Sequence, residues 1–220
     1  MRNCTLALLL TFIFIFSTQP LRAQTILFEE NFDDGVANGF TPDSDLWHVN
    51  DDGQYQIENW GFEILSHSYF GDFEWTDFML SMDMRTHDSV QNSVGFRIQE
   101  NGDMYVAALR GEPYKDVFLF KMINGNQYQL LTQDFSNSLF DWHHLEISAA
   151  GNQFIFSVNG EQAFQYTDNS NPFLFGRQAL ISYTGGVAQH QLLLLDNVVV
   201  LNPVVSAETT SLDKLKALFR

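Results

Sequence analysis

The chain of 220 residues has one cysteine, Cys4, only five prolines and few positive charges. A single cysteine excludes a disulfide within the chain, so the fold must be held together by burial of apolar side chains. Eleven Lys and Arg stand against 27 Asp and Glu, which gives a formal net charge of −16. So acidic a chain repels nucleic acid and anionic membranes. Neutral ligands or Ca²⁺ are the partners that this charge favours.

The first 23 residues predict a secretory signal peptide. Arg2 precedes an apolar run over 6–16, and the segment ends Leu21-Arg22-Ala23, where cleavage is expected. The run is too short to span a bilayer. We therefore expect a mature chain that starts at Gln24, is not inserted in a membrane, and is periplasmic, at the cell surface or secreted. Loss of two arginines changes the net charge from −16 to −18.

The segment 142–160 predicts a β-hairpin closed by a Gly151-Asn152 turn. Apolar and polar residues alternate on both sides of that turn, which is the pattern of a strand with one buried face. The turn fixes the register, and it pairs Leu145 with Val158, Ile147 with Phe156, and Ala149 with Phe154.

Similar short alternating segments, often separated by Asn-Gly, fill the rest of the chain up to residue 201. The last of them, LLLLDNVVVL at 192–201, is apolar on both faces and should be covered on both. No helical periodicity of useful length precedes residue 206. The pattern predicts an all-β protein, a two-sheet antiparallel jelly-roll sandwich over 24–202, followed by a linker and a short helical tail over 203–220.

Several blocks occur in a fixed order between residues 28 and 200: FEENFDDG with LWHV, GQYQIENWGFEI, WTDFMLSMDMRT, NSVGFRI, WHHLEISAAGNQFIFSVNG and LDNVVV. Together they resemble the concanavalin A-like (laminin-G-like) jelly roll, in the branch of the 3-keto-disaccharide hydrolase-like and glycoside hydrolase family 16-like domains. The resemblance implies that the first and last strands pair. It also implies a structural Ca²⁺ held by Glu30 and Asp196.

Three functions are compatible with this reading. The first is an exported carbohydrate-binding module for a glycan or polysaccharide. The second is a glycoside-cleaving enzyme like the 3-keto-disaccharide hydrolase relatives, although the paired carboxylates of family-16 strands are absent and catalytic residues are unknown. The third is an adhesion or scaffold module without a small ligand.

Four residues are candidates for ligand binding. If Asn101-Gly102 forms a two-residue turn, Arg97 and Arg110 share one face of the hairpin, where guanidinium groups could hold carboxylates or sugar hydroxyls. Trp60 and Trp75 lie in turn-like segments, where aromatic rings often stack on sugars. The competing interpretations are that the arginines pair with surface acids and that the tryptophans close the ends of the sandwich.

Overall fold

The computed structural model describes residues 25–61, 64–87, 91–112, 114–138, 140–184 and 190–202. The signal peptide and the tail predicted at the two ends of the chain lie outside these residues. The described residues form strands and no helix, and therefore contain no helix that could cross a bilayer. The strands are β1 (Thr25–Glu30), β2 (Thr41–Pro42), β3 (His48–Val49), β4 (Tyr55–Trp60), β5 (Leu65–Phe70), β6 (Phe78–His87), β7 (Gln91–Ile98), β8 (Met104–Arg110), β9 (Asp116–Ile123), β10 (Asn126–Asp134), β11 (His143–Ala150), β12 (Gln153–Val158), β13 (Glu161–Thr167), β14 (Arg177–Tyr183) and β15 (His190–Asn202).

These strands form two antiparallel sheets. The back sheet has the order β13-β12-β11-β6-β15-β4-β3, with β1 also paired to β15. The front sheet has the order β10-β9-β8-β7-β14-β5-β2. The expected two-sheet sandwich is therefore confirmed, and so is the pairing of the first and last strands.

The hairpin predicted from the Gly151-Asn152 turn is β11–β12, and its register is as expected. Leu145 pairs with Val158, Ile147 with Phe156 and Ala149 with Phe154. All six side chains are buried in the core between the sheets. A shift of one residue would expose the whole set, so burial and turn geometry specify the same pairing.

The core lies between the sheets and is rich in aromatic rings, which compensates for the missing disulfides. Phe78, Leu80, Met82 and Met84 point inward from β6, as the alternation of that segment predicts. A second, smaller apolar cluster lies on the opposite side of the front sheet, facing away from the core. Its members are Ile98, Met104, Val106, Ala108, Phe118, Phe120, Ala179 and Ile181.

The loop between β13 and β14 is tied to the front sheet by a buried ion pair. The Nζ of Lys121 lies 2.9 Å from Asp168 Oδ2 and also donates to the carbonyls of Ser170 and Asn171. Tyr105 OH donates to the same carboxylate oxygen at 2.5 Å. Because both charged side chains are buried and paired, this contact fixes the loop on the sheet.

Candidate functional site

The outer face of the front sheet carries two cross-strand rows with the same design. Directly paired residues point to the same face of a sheet, so the register alone defines each row. The first row is Phe118, Ala108, Ser93, Ile181 and His67, and the second is Phe120, Val106, Gly95, Ala179 and Tyr69. Each row has a ring at both ends and smaller side chains between them.

These rows make a trough that we call the front groove. Phe118 and Phe120 stack with centroids 5.4 Å apart and form one wall. His67 and Tyr69 stack at 5.5 Å and form the other. Four strand spacings of about 4.8 Å place the two walls roughly 19 Å apart at the backbone.

Small residues lie on the floor of the front groove. Ala108 and Gly95 lie on the floor beside Ser93 and Ile181. A Cβ at Gly95 would come within 3.1 Å of Ile181 Cδ1 and 3.2 Å of Met104 Sδ. The lack of a side chain at Gly95 therefore lets the side chains of Ile181 and Met104 pack directly over its backbone.

The open part of the front groove holds about 200 Å³. That is less than the roughly 300–1,000 Å³ of pockets for drug-sized ligands, so a single small ring suits it better than an extended ligand. The described lining residues include no Asp, Glu, Lys or Arg: they are Leu65, His67, Gln91, Ser93, Val106, Phe118, Phe120, Met122, Gly125, Gln127, Ile181 and Tyr183.

Two polar groups of the front groove are placed to meet a ligand. The hydroxyl of Ser93 is fully buried and has no hydrogen-bond partner among the described residues. His67 is held by Asp43, whose Oδ2 lies 3.0 Å from Nδ1 of the imidazole. Asp43 Oδ1 accepts hydrogen bonds from Ser66 Oγ at 2.6 Å and from the backbone N–H of His67 at 2.9 Å.

Comparison with known proteins identifies the fold. No family model and no curated protein sequence matches this chain. Among solved structures, the carbohydrate-binding module CBM66 from Bacillus subtilis is 18% identical with a TM-score of 0.61, over 74% of this chain and 94% of that one. The laminarinase catalytic domain of Thermotoga maritima is 11% identical with a TM-score of 0.63, over 83% and 99%. The Crh5 transglycosylase is 13% identical with a TM-score of 0.65, over 80% and 84%.

The chain has the concanavalin A-like jelly-roll fold. At these identities the likeness concerns the fold alone, and the site must be argued from this chain's own residues.

Within this jelly roll, Arg97 does not lie where the sequence placed it. β7 has one residue more than β8 between the pairs Gly95–Val106 and Gln99–Asp103. It also has one residue more than β14 over the same stretch. This is a β-bulge, and Arg97 sits in it at φ 50°. A bulge reverses the alternation of a strand, so Arg97 turns inward and is fully buried. Its guanidinium donates to the carbonyls of Gly151, Phe173 and Thr76. The expectation that it shares an open face with Arg110 is therefore corrected.

Arg110 does lie on the outer face of the front sheet, at the end of the Phe118 wall. It donates through Nε to Asp116 Oδ1 at 2.6 Å, with a second bond from Nη2 to Oδ2. Its guanidinium lies 4.3 Å from the ring centroid of Tyr114 and 4.5 Å from that of Phe118. Arg110 is thus neutralised by Asp116 and supports the aromatic wall from its end.

The two tryptophans lie at opposite ends of the jelly roll. Trp60 ends β4 on the outer face of the back sheet, where it is 67% exposed and stacks on His190 with centroids 4.0 Å apart. Trp75 follows β5 and packs on Gly71 and on the core. The six residues of β5 separate the two sites by about 20 Å. Arg97, Arg110, Trp60 and Trp75 therefore do not form one site.

The two residues expected to hold calcium lie in different surroundings. Both oxygens of Glu30 already accept backbone N–H groups, from Phe32 and Asn38, each at 2.8 Å. Glu30 therefore anchors the loop after β1, and these two bonds use one of the two acceptor sites of each oxygen. At Asp196, burial and the carboxylates of Asp83 and Asp33 raise the pKa above its usual value. No group of three or more possible metal-binding side chains occurs in the described part of the jelly roll.

A second depression, of about 530 Å³, lies beside the β7–β8 turn. It is lined by Phe73, Gln99, Glu100, Asn101, Asp103, Phe173 and Phe175. Gln99 Nε2 already donates to the carbonyls of Arg97 and Phe175, and Asp103 Oδ1 accepts the N–H of Asn124. Because these polar groups are used to build the turns, the depression offers a ligand less than the front groove does.

The sequence did not reveal His67 or Ser93 as site residues. Each lies in a short alternating segment, Leu65-His67-Tyr69 and Ser93-Gly95, which marks one face of a strand. Residues 67, 93 and 181 meet only through the pairing of three strands. The sequence showed a histidine and a serine at strand positions that alternate with buried residues, but it did not indicate that the two are close in space.

Proposed function

We propose that this protein is an exported carbohydrate-binding module that holds a neutral saccharide in the front groove. The observation that carries the proposal is the combination of two aromatic walls with a buried hydroxyl, Ser93 Oγ, that has no partner in the described structure. Sugar rings present apolar C–H faces and polar edges, which match aromatic side chains and a few fixed hydrogen-bonding groups.

The charge of the site supports a neutral ligand. No acidic or basic side chain other than the His67 imidazole lines the cavity in the described residues, and Arg110 at its end is paired with Asp116. Arg177 lies beside the cavity, with its guanidinium 4.0 Å from the ring centroid of Tyr69. The formal net charge of −16 repels anionic polysaccharides as well. The solved structures with this fold include a carbohydrate-binding module and enzymes named for β-glucan cleavage, which supports a saccharide ligand.

The test is affinity electrophoresis through gels that contain β-1,3-glucan, mixed-linkage β-1,3-1,4-glucan or no polysaccharide. We expect one of the glucans to retard the protein. Ser93→Leu fills the groove and should abolish retardation, whereas Ser148→Leu makes the same change on the outer face of the back sheet and should not. Circular dichroism checks that both variants fold. A protein that neither glucan retards, or retardation that survives Ser93→Leu, contradicts the proposal.

A glycoside-cleaving enzyme is the second candidate, and one observation favours it. A histidine oriented by a carboxylate, as His67 is by Asp43, is a common general base. Hydrolysis by two carboxylates, however, needs a pair of Asp or Glu at the ligand, and the described groove lining has neither. Chromatography of the same glucans after long incubation distinguishes the candidates, since only an enzyme releases shorter products.

We also propose a structural calcium ion at Glu30 and Asp196. The support is that Asp196 is paired with Asp83 across β15 and β6, which brings two carboxylates to one place. Burial and the charges of Asp83 and Asp33 raise the pKa of Asp196. A divalent cation relieves such repulsion and takes further oxygens from backbone carbonyls and water.

A further inference from the structure

The two ring nitrogens of His67 have different surroundings. Its Nδ1 faces Asp43 Oδ2 at 3.0 Å, and among the described residues Nε2 makes no hydrogen bond. Stacking on Tyr69, with ring planes 13° apart, further limits rotation of the imidazole. His67 therefore presents Nε2 to a ligand in one orientation.

The charge of Asp43 decides which nitrogen carries the proton. Burial alone raises the pKa of Asp43, but hydrogen bonds from Ser66 and from the backbone and ring of His67 outweigh it and lower that pKa below its usual value. An ionised carboxylate only accepts hydrogen bonds. Nδ1 must then be the donor, and in the neutral imidazole Nε2 is left as an acceptor.

Ser93 provides the second polar group at a defined separation. Ser93 and His67 are both paired with Ile181, on its two sides, so they lie two strand spacings apart, roughly 10 Å at the backbone. The Ser93 hydroxyl can both donate and accept. A hydroxyl buried without a partner costs about 1–3 kcal/mol in a folded protein, and a ligand group in the groove would remove that cost.

We infer that Asp43 sets the hydrogen-bonding polarity of the front groove by holding His67 in the tautomer that accepts a hydrogen bond at Nε2. The ligand then is a ring with hydroxyl groups on two opposite edges. One hydroxyl donates to His67 Nε2 and the other bonds Ser93 Oγ, while the ring lies over Ile181. This inference rests on the proposed saccharide function and assigns Asp43 as a positioning residue outside the groove.

The variant Asp43→Asn tests the inference with little change in shape. The amide oxygen can still accept from Ser66 and from the His67 backbone, as Oδ1 does now. The amide nitrogen donates where Oδ2 accepted, so His67 Nδ1 becomes an acceptor and the proton moves to Nε2. Asp45→Asn is the matched control, because it removes the same charge at an exposed position two residues away.

Two measurements are needed. ¹⁵N NMR of the His67 ring, without ligand, should show the proton on Nδ1 in the wild type and on Nε2 in Asp43→Asn. Calorimetric titration with oligosaccharides of the glucan that retards the wild type should show at least tenfold weaker binding for Asp43→Asn and for Ser93→Ala, and unchanged binding for Asp45→Asn. In a His67→Phe background, Asp43→Asn should have no further effect, because phenylalanine keeps a flat ring and has no nitrogen for Asp43 to orient.

The outcomes separate this inference from the proposed function. A wild-type protein that carries the ring proton on Nε2 overturns the inference whatever the ligand is. Binding that is lost in Ser93→Leu but unchanged in Asp43→Asn overturns the inference and leaves saccharide binding intact. Absence of glucan binding by the wild type overturns the proposed function.

Discussion

The buried pair of Lys121 and Asp168 gives the sharpest prediction about stability. Asp168 accepts from Lys121 Nζ at 2.9 Å, from Tyr105 OH at 2.5 Å and from the N–H of Ser170 at 2.7 Å. Asp168→Asn keeps the shape of the side chain and the acceptor that serves Ser170. It removes the charge that Lys121 needs, and Lys121 is only 4% exposed.

The expected loss is about 3 kcal/mol in the free energy of unfolding at pH 7. Removal of one partner from a buried ion pair costs about 3–5 kcal/mol, and the lower end applies because Lys121 keeps its bonds to the carbonyls of Ser170 and Asn171. For a domain of this size the melting temperature should fall by roughly 6–12 °C. Urea unfolding and calorimetry measure both quantities, with the exposed Asp141→Asn as control.

The pH dependence of the stability difference between wild type and Asp168→Asn tests whether the charge of Asp168 is its cause. Burial raises the pKa of Asp168, but hydrogen bonds from Tyr105, Lys121 and Ser170 outweigh it and lower the pKa below its usual value. A carboxyl group with a lowered folded-state pKa stabilises the protein above its unfolded-state pKa, and loses that effect as the pH falls through the folded-state value. Wild type and Asp168→Asn should therefore converge in acid. A loss under 1 kcal/mol at pH 7, or a difference that persists to the lowest pH at which the protein folds, would refute this reasoning.

Three further predictions concern the bulge, the closing strand and the exposed tryptophan. Gly176→Ala places a Cβ 2.5–2.7 Å from the backbone of Arg97 and Ile98, and should lower the free energy of unfolding in urea by more than about 2 kcal/mol. Gly125→Ala is the control, because a Cβ there meets open space; equal losses in the two variants would contradict the prediction. Asp196 has a raised folded-state pKa, so its ionisation opposes folding as the pH rises, and Asp196→Asn should melt at a higher temperature than the wild type at pH 7 in chelator. Calcium should raise the melting temperature of the wild type. Equal melting temperatures in calcium and in chelator would contradict the proposed calcium ion. Trp60→Ala should change stability by less than about 0.5 kcal/mol, since surface substitutions rarely do more, and should leave front-groove binding unchanged in electrophoresis.

The sequence predicted what depends on local patterns. The turn at Gly151-Asn152 and the alternation around it specified the β11–β12 register, because only one pairing buries Leu145, Ile147 and Ala149 together. The inward face of β6 was predictable for the same reason. These features depend on residues close in the chain, whose arrangement the two-residue period of a strand determines.

The position of Arg97 was not predictable in this way. Simple alternation puts Arg97 on the same face as Gly95, but the bulge against Gln178 shifts the pattern, so that Arg97 turns inward and Ile98 outward. The bulge needs Gly176 immediately before the neighbouring strand β14, because any side chain there would overlap the backbone of Arg97. A strand's own sequence does not record such a requirement, which belongs to a partner 79 positions further along the chain.

Substitution of Ser93 distinguishes a role of its hydroxyl in ligand binding from a role in stability. The outer side of the front sheet is already apolar at Val106, Ala108 and Ile181, and alanine at position 93 would leave no unpaired hydroxyl. Removal of a buried polar group that has no partner is neutral or stabilising, so Ser93→Ala should melt no lower than the wild type. If the same variant binds saccharide at least tenfold more weakly, the hydroxyl serves the ligand and not the sheet. A variant that melts several degrees lower shows instead that Ser93 has a structural partner, and the front groove then loses the observation on which its assignment depends.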